Sequence, residues 1–446
     1  MVEQFRTAFQ QLIDASAAAD PHHFPDALHR VHTQAAHVPT NERELALEAL
    51  TTLLRTTHLA PGITADLSVL AGALVELGTD PGPTGPHILH LLHTVGQDAL
   101  TFLHAWNHTG EDTPPAPDHT TADAETRVAT HLGPHTAPTA TMSWWTLGRH
   151  TLAARTMLSE PSVRAHLRRT PALHANLMAL ANQLSPHLAD FDDIRALLRM
   201  SEATSALVLH RTTGRAFRVL FDGIGDNFQL HTLLAHALIG PNRQGLSGPE
   251  PDPRWVASFR DGPTDPDART VWGWWNLLAH DGTWVWNEGM PAEIPTVEGE
   301  RVLILDPQPY PRSWNAGRRH RHVHGWLVVD SELDHAETQL WWKHIAPAEP
   351  ALPHQEPEQA PLPEPLTTAD LSTPPARPAT AHPAPESTPQ PAPETTADTG
   401  PGSGSAPLAQ PAAPTQGRRR PHPALGLPPL PPEVSRSHSW GPTWRH

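Results

Sequence analysis

The chain has 446 residues, 38% of them hydrophobic, enough apolar material for two domain-sized cores. It contains no cysteine, so disulfides, thiolate-bound zinc and cysteine nucleophiles are excluded. A formal net charge of −16 argues against a general nucleic-acid or anionic-membrane partner.

The N-terminus, Met1-Val2-Glu3-Gln4-Phe5-Arg6, lacks the basic and continuous apolar regions of a signal peptide. No run approaches the roughly 18 apolar residues that cross a bilayer. Cytoplasm is therefore the expected location, with no membrane partner. The 32 histidines would be half protonated near pH 6.5, adding roughly 16 positive charges and bringing the net charge near zero.

Residues 1–200 read as helices, either an irregular bundle or a helical-repeat-like stack. Phe5, Phe9, Leu12 and Ile13 share one face of a 3.6-residue period. Asn41 and Glu44 have the spacing of a capping box ahead of Leu47, Leu50 and Leu54. Ile63, Leu67, Leu70 and Leu74 form the clearest stripe, stopped by Gly78. Ile88 to Trp106 marks another helix. A polar, proline-bearing stretch over about 107–141 separates these from helices around Trp144–Met157 and Leu173–Leu184.

Near residue 203 the period changes to two. Ala206–His210 and Ala216–Phe221 flank Thr212-Thr213-Gly214 as a hairpin, with Phe217, Val219 and Phe221 facing inward. A helix over Asn227–Ile239 follows, capped by Asp226. Val271–Leu278 and Thr283–Trp286 read as a second hairpin. Arg301–Leu305 and Gly325–Val329 read as further strands, and Asp334–Ile345 as a closing helix. The expected class is therefore α+β, with a tryptophan-rich antiparallel α+β domain over 201–346.

From about Pro347 the composition shifts, and the last 100 residues hold 26 of the 52 prolines. Such a segment buries too little apolar surface to offset an ordering cost of roughly 1–2 kcal/mol per residue, so 347–446 is expected to be a disordered proline-rich tail. Within it, Arg418, Arg419 and Arg420 precede Leu427-Pro428-Pro429-Leu430-Pro431-Pro432, and Trp440 and Trp444 lie near the end. Polyproline II beside basic and aromatic residues has the character of a docking element, so a protein partner is expected through the tail.

The segment from Trp255 to Trp342 holds ten of the fifteen tryptophans. It reads as an aromatic core or as a recognition surface, with Trp272 and Trp274 on one side of a strand and Trp275 on the other. The turn from Asp222 to Asn227 resembles an anion-binding loop but lacks the third glycine and the P-loop lysine. Arg312, Arg318 and Arg319 sit on a proline-stiffened loop suited to carboxylate or phosphate, and Asp306 and Glu288 could serve as general acid or base if the fold brings them to it. His320, His322 and His324 would share a face if extended, but three nearby arginines repel a dication. No metal and no cofactor is assigned.

Two stretches, Gly223 to Ala235 and Asp281 to Arg318, resemble segments of uncharacterised proteins from high-GC bacteria, over roughly residues 200–330. The resemblance implies one domain there and carries no activity. Two functional readings remain. One is a non-catalytic binding or adaptor protein, with a helical platform, a tryptophan-rich recognition domain and a docking tail. The other is an enzyme acting on an anionic small molecule, with Arg312 and Arg318 holding substrate and Asp306 or Glu288 moving protons.

Overall fold

The computed structural model describes residues 1–347 apart from 57 and 112. The proline-rich tail and its expected disorder lie outside the described residues.

The helical part runs through α1 (Val2–Ala17), α2 (His23–Ala35), α3 (Thr40–Leu54), α4 (Pro61–Glu76), α5 (Thr84–Asn107), α6 (Ala122–Leu132), α7 (Ala137–Leu158), α8 (Pro161–Arg169), α9 (Pro171–Leu184) and α10 (Asp190–Met200). The predicted stripes are its core: Leu67, Leu70 and Leu74 of α4 are buried, as are Phe5, Phe9 and Leu12 of α1. In α7, the fully buried Trp144 stacks on Phe102 of α5 with centroids 5.7 Å apart. Its indole N–H donates to the Pro115 carbonyl at 2.8 Å, so the one polar atom of that ring is satisfied.

Two local expectations are corrected. Helix α3 begins at Thr40 with Pro39 as its N-cap and no capping side chain, so the Asn41–Glu44 box does not form. The stretch read as a polar break contains α6, which fully buries Ala124 and Val128 and packs Ala129 and Leu132 at the edge of the core, a stripe too weak to register among its polar neighbours.

The second part contains strands β1 (Ser205–His210), β2 (Arg215–Asp222), β3 (Thr270–Trp272), β4 (Asn276–Ala279), β5 (Thr296–Val297), β6 (Glu300–Asp306), β7 (Ser313–Asn315) and β8 (Trp326–Glu332). Helices α11 (Asn227–Leu238) and α12 (Pro253–Arg260) lie between β2 and β3, and α13 (His335–Trp342) follows β8. The main sheet has the order β4-β6-β1-β2-β8, with β5 folded onto β6. Its pairs are antiparallel except β1 with β6, which run parallel with Leu207 opposite Val302. A parallel pair needs a long crossover, which the chain between β2 and β5 supplies.

Alternation sends Val208, Phe217, Val219, Leu303 and Leu305 into a core with Leu230, Leu234 and Phe259 of α11 and α12. The opposite face offers Leu207, Leu209, Val302 and Ile304 to Trp341 and Trp342 of α13. Strand β6 is thus covered on both faces, which is why Val302–Leu305 is a continuous apolar run.

The helical and sheet parts share packing. Met290 and Val323 belong to the same buried cluster as the helices. Arg164 of α8 grips Asp222 at the end of β2, with Nε to Oδ1 at 3.2 Å and Nη2 to Oδ2 at 2.9 Å. Its remaining amine donates to the carbonyls of Leu158 and Ser159 at 2.9 and 2.7 Å. The two charged side chains are 1% and 6% exposed. The chain then turns at Gly223, whose φ of +71° and contact with the His324 carbonyl leave no room for a Cβ.

Candidate functional site

Asp226 caps α11 as its sequence position predicts, accepting from the Gln229 N–H at 2.9 Å. The helix so started carries His231, buried at 1% exposure. Its Nε2 accepts backbone N–H groups from Trp274 at 3.3 Å and Trp275 at 3.2 Å. The rings of Trp275, Trp274 and Trp314 surround it, with centroids 5.0 to 5.8 Å away. Burial pushes the imidazole down to about 3, with the Arg312 charge adding and the Asn287 hydrogen bond opposing. It is therefore a neutral acceptor that pins the turn over residues 273–275.

That turn corrects the predicted long strand. Gly273 donates to the Arg312 carbonyl at 2.9 Å, and a Cβ there would lie 2.9 Å from the Trp314 ring. The chain breaks at this close approach, so β3 leaves the main sheet and pairs with β7 as a separate ribbon, Trp272 opposite Ser313. Val271 and Trp314 point into the core, while Trp272 is 56% exposed. The expected second hairpin is not formed either: Thr283–Trp286 makes only a single bridge, Trp284 to Leu278, and Trp284 and Trp286 meet with ring centroids 5.7 Å apart.

Across from Trp272, the segment Pro249-Glu250-Pro251-Asp252-Pro253 leads into α12. Asp252 caps that helix, accepting from the Arg254 N–H at 2.9 Å, and pairs with the Arg254 guanidinium at 2.6 Å. The Trp274 indole donates to the Pro249 carbonyl at 2.7 Å and meets Trp255 edge-on at 6.3 Å. Between these walls lies an open groove of about 660 Å³, lined by Trp255, Trp272, Trp274 and the three prolines together with the charged residues Glu250, Asp252 and Arg254. Three indoles and stiff prolines present flat apolar area, with the unpartnered Trp255 indole N–H as a donor, a lining suited to an extended segment that offers apolar side chains and backbone carbonyls.

None of the five residues selected from sequence as ligand-binding lines this groove. Arg318 donates to the carbonyls of Ser258, Gly262 and Arg321 at 2.8, 3.0 and 2.9 Å, closing the C-terminus of α12. Asp306 is ion-paired with Arg211. Arg312 lies over the Trp284 ring at 4.3 Å and the Tyr310 ring at 5.0 Å, a cation–π stack. Glu288 and Arg319 are exposed, and the charge of each acts on Asp226. Burial, helped by Glu288, raises Asp226 to about 6 against the pull of the Gln229 N–H and Arg319. Arg418, Arg419, Arg420, Trp440 and Trp444 lie outside the described residues.

The turn after β2 offers little to an anion, because the Gly225 N–H is taken by the Gln229 side chain at 2.9 Å. Residues 318–324 form no strand, so the extended run that would align the three histidines is not formed. Burial pushes His320 down to about 4. Among the described residues no group of three histidine, cysteine or acidic side chains is placed to hold a metal ion, and no helix is long and apolar enough to cross a membrane.

Sequence reasoning counted Trp255, Trp272 and Trp274 but missed the wall facing them. The available signal was proline at 249, 251 and 253, which stiffens the approach to Trp255. No protein-family model, curated protein or solved structure matches the chain.

Proposed function

We propose that this chain is a non-catalytic binding protein whose tryptophan-rich region holds extended, proline-containing segments, with the helices as its platform. The observation that carries the reading is the open groove walled by Trp255, Trp272 and Trp274. Proline-rich ligands dock on aromatic-lined grooves because polyproline II is already ordered and loses little entropy on binding. The catalytic reading draws less support. Arg318 is occupied by carbonyls and Asp306 by Arg211, so neither is free to meet a substrate.

Titration of the full chain with proline-rich and proline-free peptides, followed by calorimetry, tests this. The proline-rich set is expected to bind, and Trp272→Ala, at an exposed position, to weaken binding at least tenfold, or about 1.4 kcal/mol. Equal binding of both peptide sets, or no effect of Trp272→Ala, would remove the reading.

A further inference from the structure

The chain that carries the groove also carries a segment of matching chemistry. Leu427-Pro428-Pro429-Leu430-Pro431-Pro432 repeats Leu-Pro-Pro twice at a period of three. Polyproline II has three residues per turn, so each proline recurs on the same edge as its counterpart one turn on, and the leucines do likewise. We infer that this segment occupies the groove of its own chain and shields it until an outside proline-rich ligand displaces it. The inference rests on the groove being a site for such segments.

Where the described chain ends supports that occupant. The Ala346 N–H donates to the His280 carbonyl at 2.8 Å, so the chain leaves beside the turn before Trp284. Trp284 lies under Arg312 at 4.3 Å, and Arg312 precedes Ser313, the strand partner of Trp272 in the groove wall. About 80 residues separate this exit from Leu427. Taken anywhere between a flexible chain, about 50 Å end to end, and a stiffer proline-rich tether, roughly 90 Å, a linker of that length gives a tethered segment an effective concentration on the order of millimolar. A sequence that binds in trans with a Kd of about 100 μM would then be docked in roughly nine molecules of ten.

Two full-length chains decide it: the unchanged protein and one carrying Pro428→Ala, Pro429→Ala, Pro431→Ala and Pro432→Ala. The probe is a synthetic peptide with the sequence of residues 425–434, titrated by calorimetry into each. Competition by the tethered segment predicts at least fivefold tighter binding to the substituted chain, and faster amide exchange there over residues 270–275. The fivefold ratio should survive tenfold dilution of the protein; a ratio that collapses on dilution assigns the segment to a second copy and overturns the intramolecular form. Equal binding to both chains overturns the inference while the groove keeps its function. Absence of binding to the substituted chain overturns both.

Discussion

Arg164 and Asp222 join the helices to the sheet through a charge pair that water hardly reaches. Asp222→Ala leaves the guanidinium buried without its countercharge, and the expected loss is about 3–5 kcal/mol in urea unfolding. Replacing both residues, Arg164→Met with Asp222→Leu, should recover most of that loss, because the desolvation cost disappears with the pair. Equal losses in the single and double variants would show that the pair contributes through shape alone. Histidines set the acid limit. His150 and His231, both pushed to about 3 by burial, stay neutral in the fold but take up a proton near pH 6.5 when unfolded. Each therefore removes about 1.4 kcal/mol of stability per pH unit as pH falls from 6.5 toward 3. Asp226, raised to about 6, works in the opposite direction between roughly pH 6 and 4, since the folded form then binds the extra proton. With His236 and His320 also pushed down to about 4 by burial, four histidines against one aspartate leave a net fall below pH 6.5, and His231→Gln should make the slope shallower. Urea midpoints at neutral and mildly acidic pH check this, and an unchanged slope would mean His231 is not buried neutral. Of these residues, Asp226 was legible in sequence because a cap acts on its own neighbours. Arg318 was not, since the carbonyls it closes belong to a helix some 60 residues earlier in the chain.

Elements divide along the same line of local against distant causes. Strand β6 could be read directly, because coverage on both faces prints a continuous apolar run. Helices α6 and α12 were missed because each fully buries only two or three side chains. The supposed strand over Val271–Leu278 failed at Gly273, where a ring from β7 decides the path and nothing nearby in sequence announces it. Helix α11 is held at its start by Gln229, whose amide donates to the Phe259 and Gly223 carbonyls at 2.7 and 3.2 Å while its oxygen takes the Gly225 N–H. Gln229→Ala strands these buried groups and should cost about 2–3 kcal/mol in denaturant unfolding. Gln229→Glu should cost more, as it replaces the amide donor with a charge facing two carbonyls and Asp226. A glutamate variant as stable as the native chain would show that water reaches this helix start.

At the scale of the molecule, the two parts meet through shared core rather than a linker. Helix α10 ends at Met200 and β1 begins at Ser205, yet Met290 and Val323 from the second part pack among the helices. Arg199 of α10 also pairs with Glu293 at 2.8 Å, and Arg301 donates to the Glu202 carbonyl at 3.3 Å. Chains of this size often unfold in steps, so the size of the cooperative unit is a measurable property. A body of 347 residues should absorb about 240 kcal/mol on melting near 60 °C, at roughly 0.7 kcal/mol per residue. If the shared core couples the parts, the van't Hoff enthalpy equals that calorimetric value in a single peak. If residues 1–200 and 201–346 melt independently, the van't Hoff enthalpy falls to about half. Val323→Asp sharpens the test by placing a carboxylate at a site 1% exposed within the helical cluster, at a cost of several kcal/mol. A coupled body should answer with one peak moved bodily to lower temperature. A peak that splits, with the helical share moving and the sheet share staying, would assign the two parts to separate folding units that merely touch.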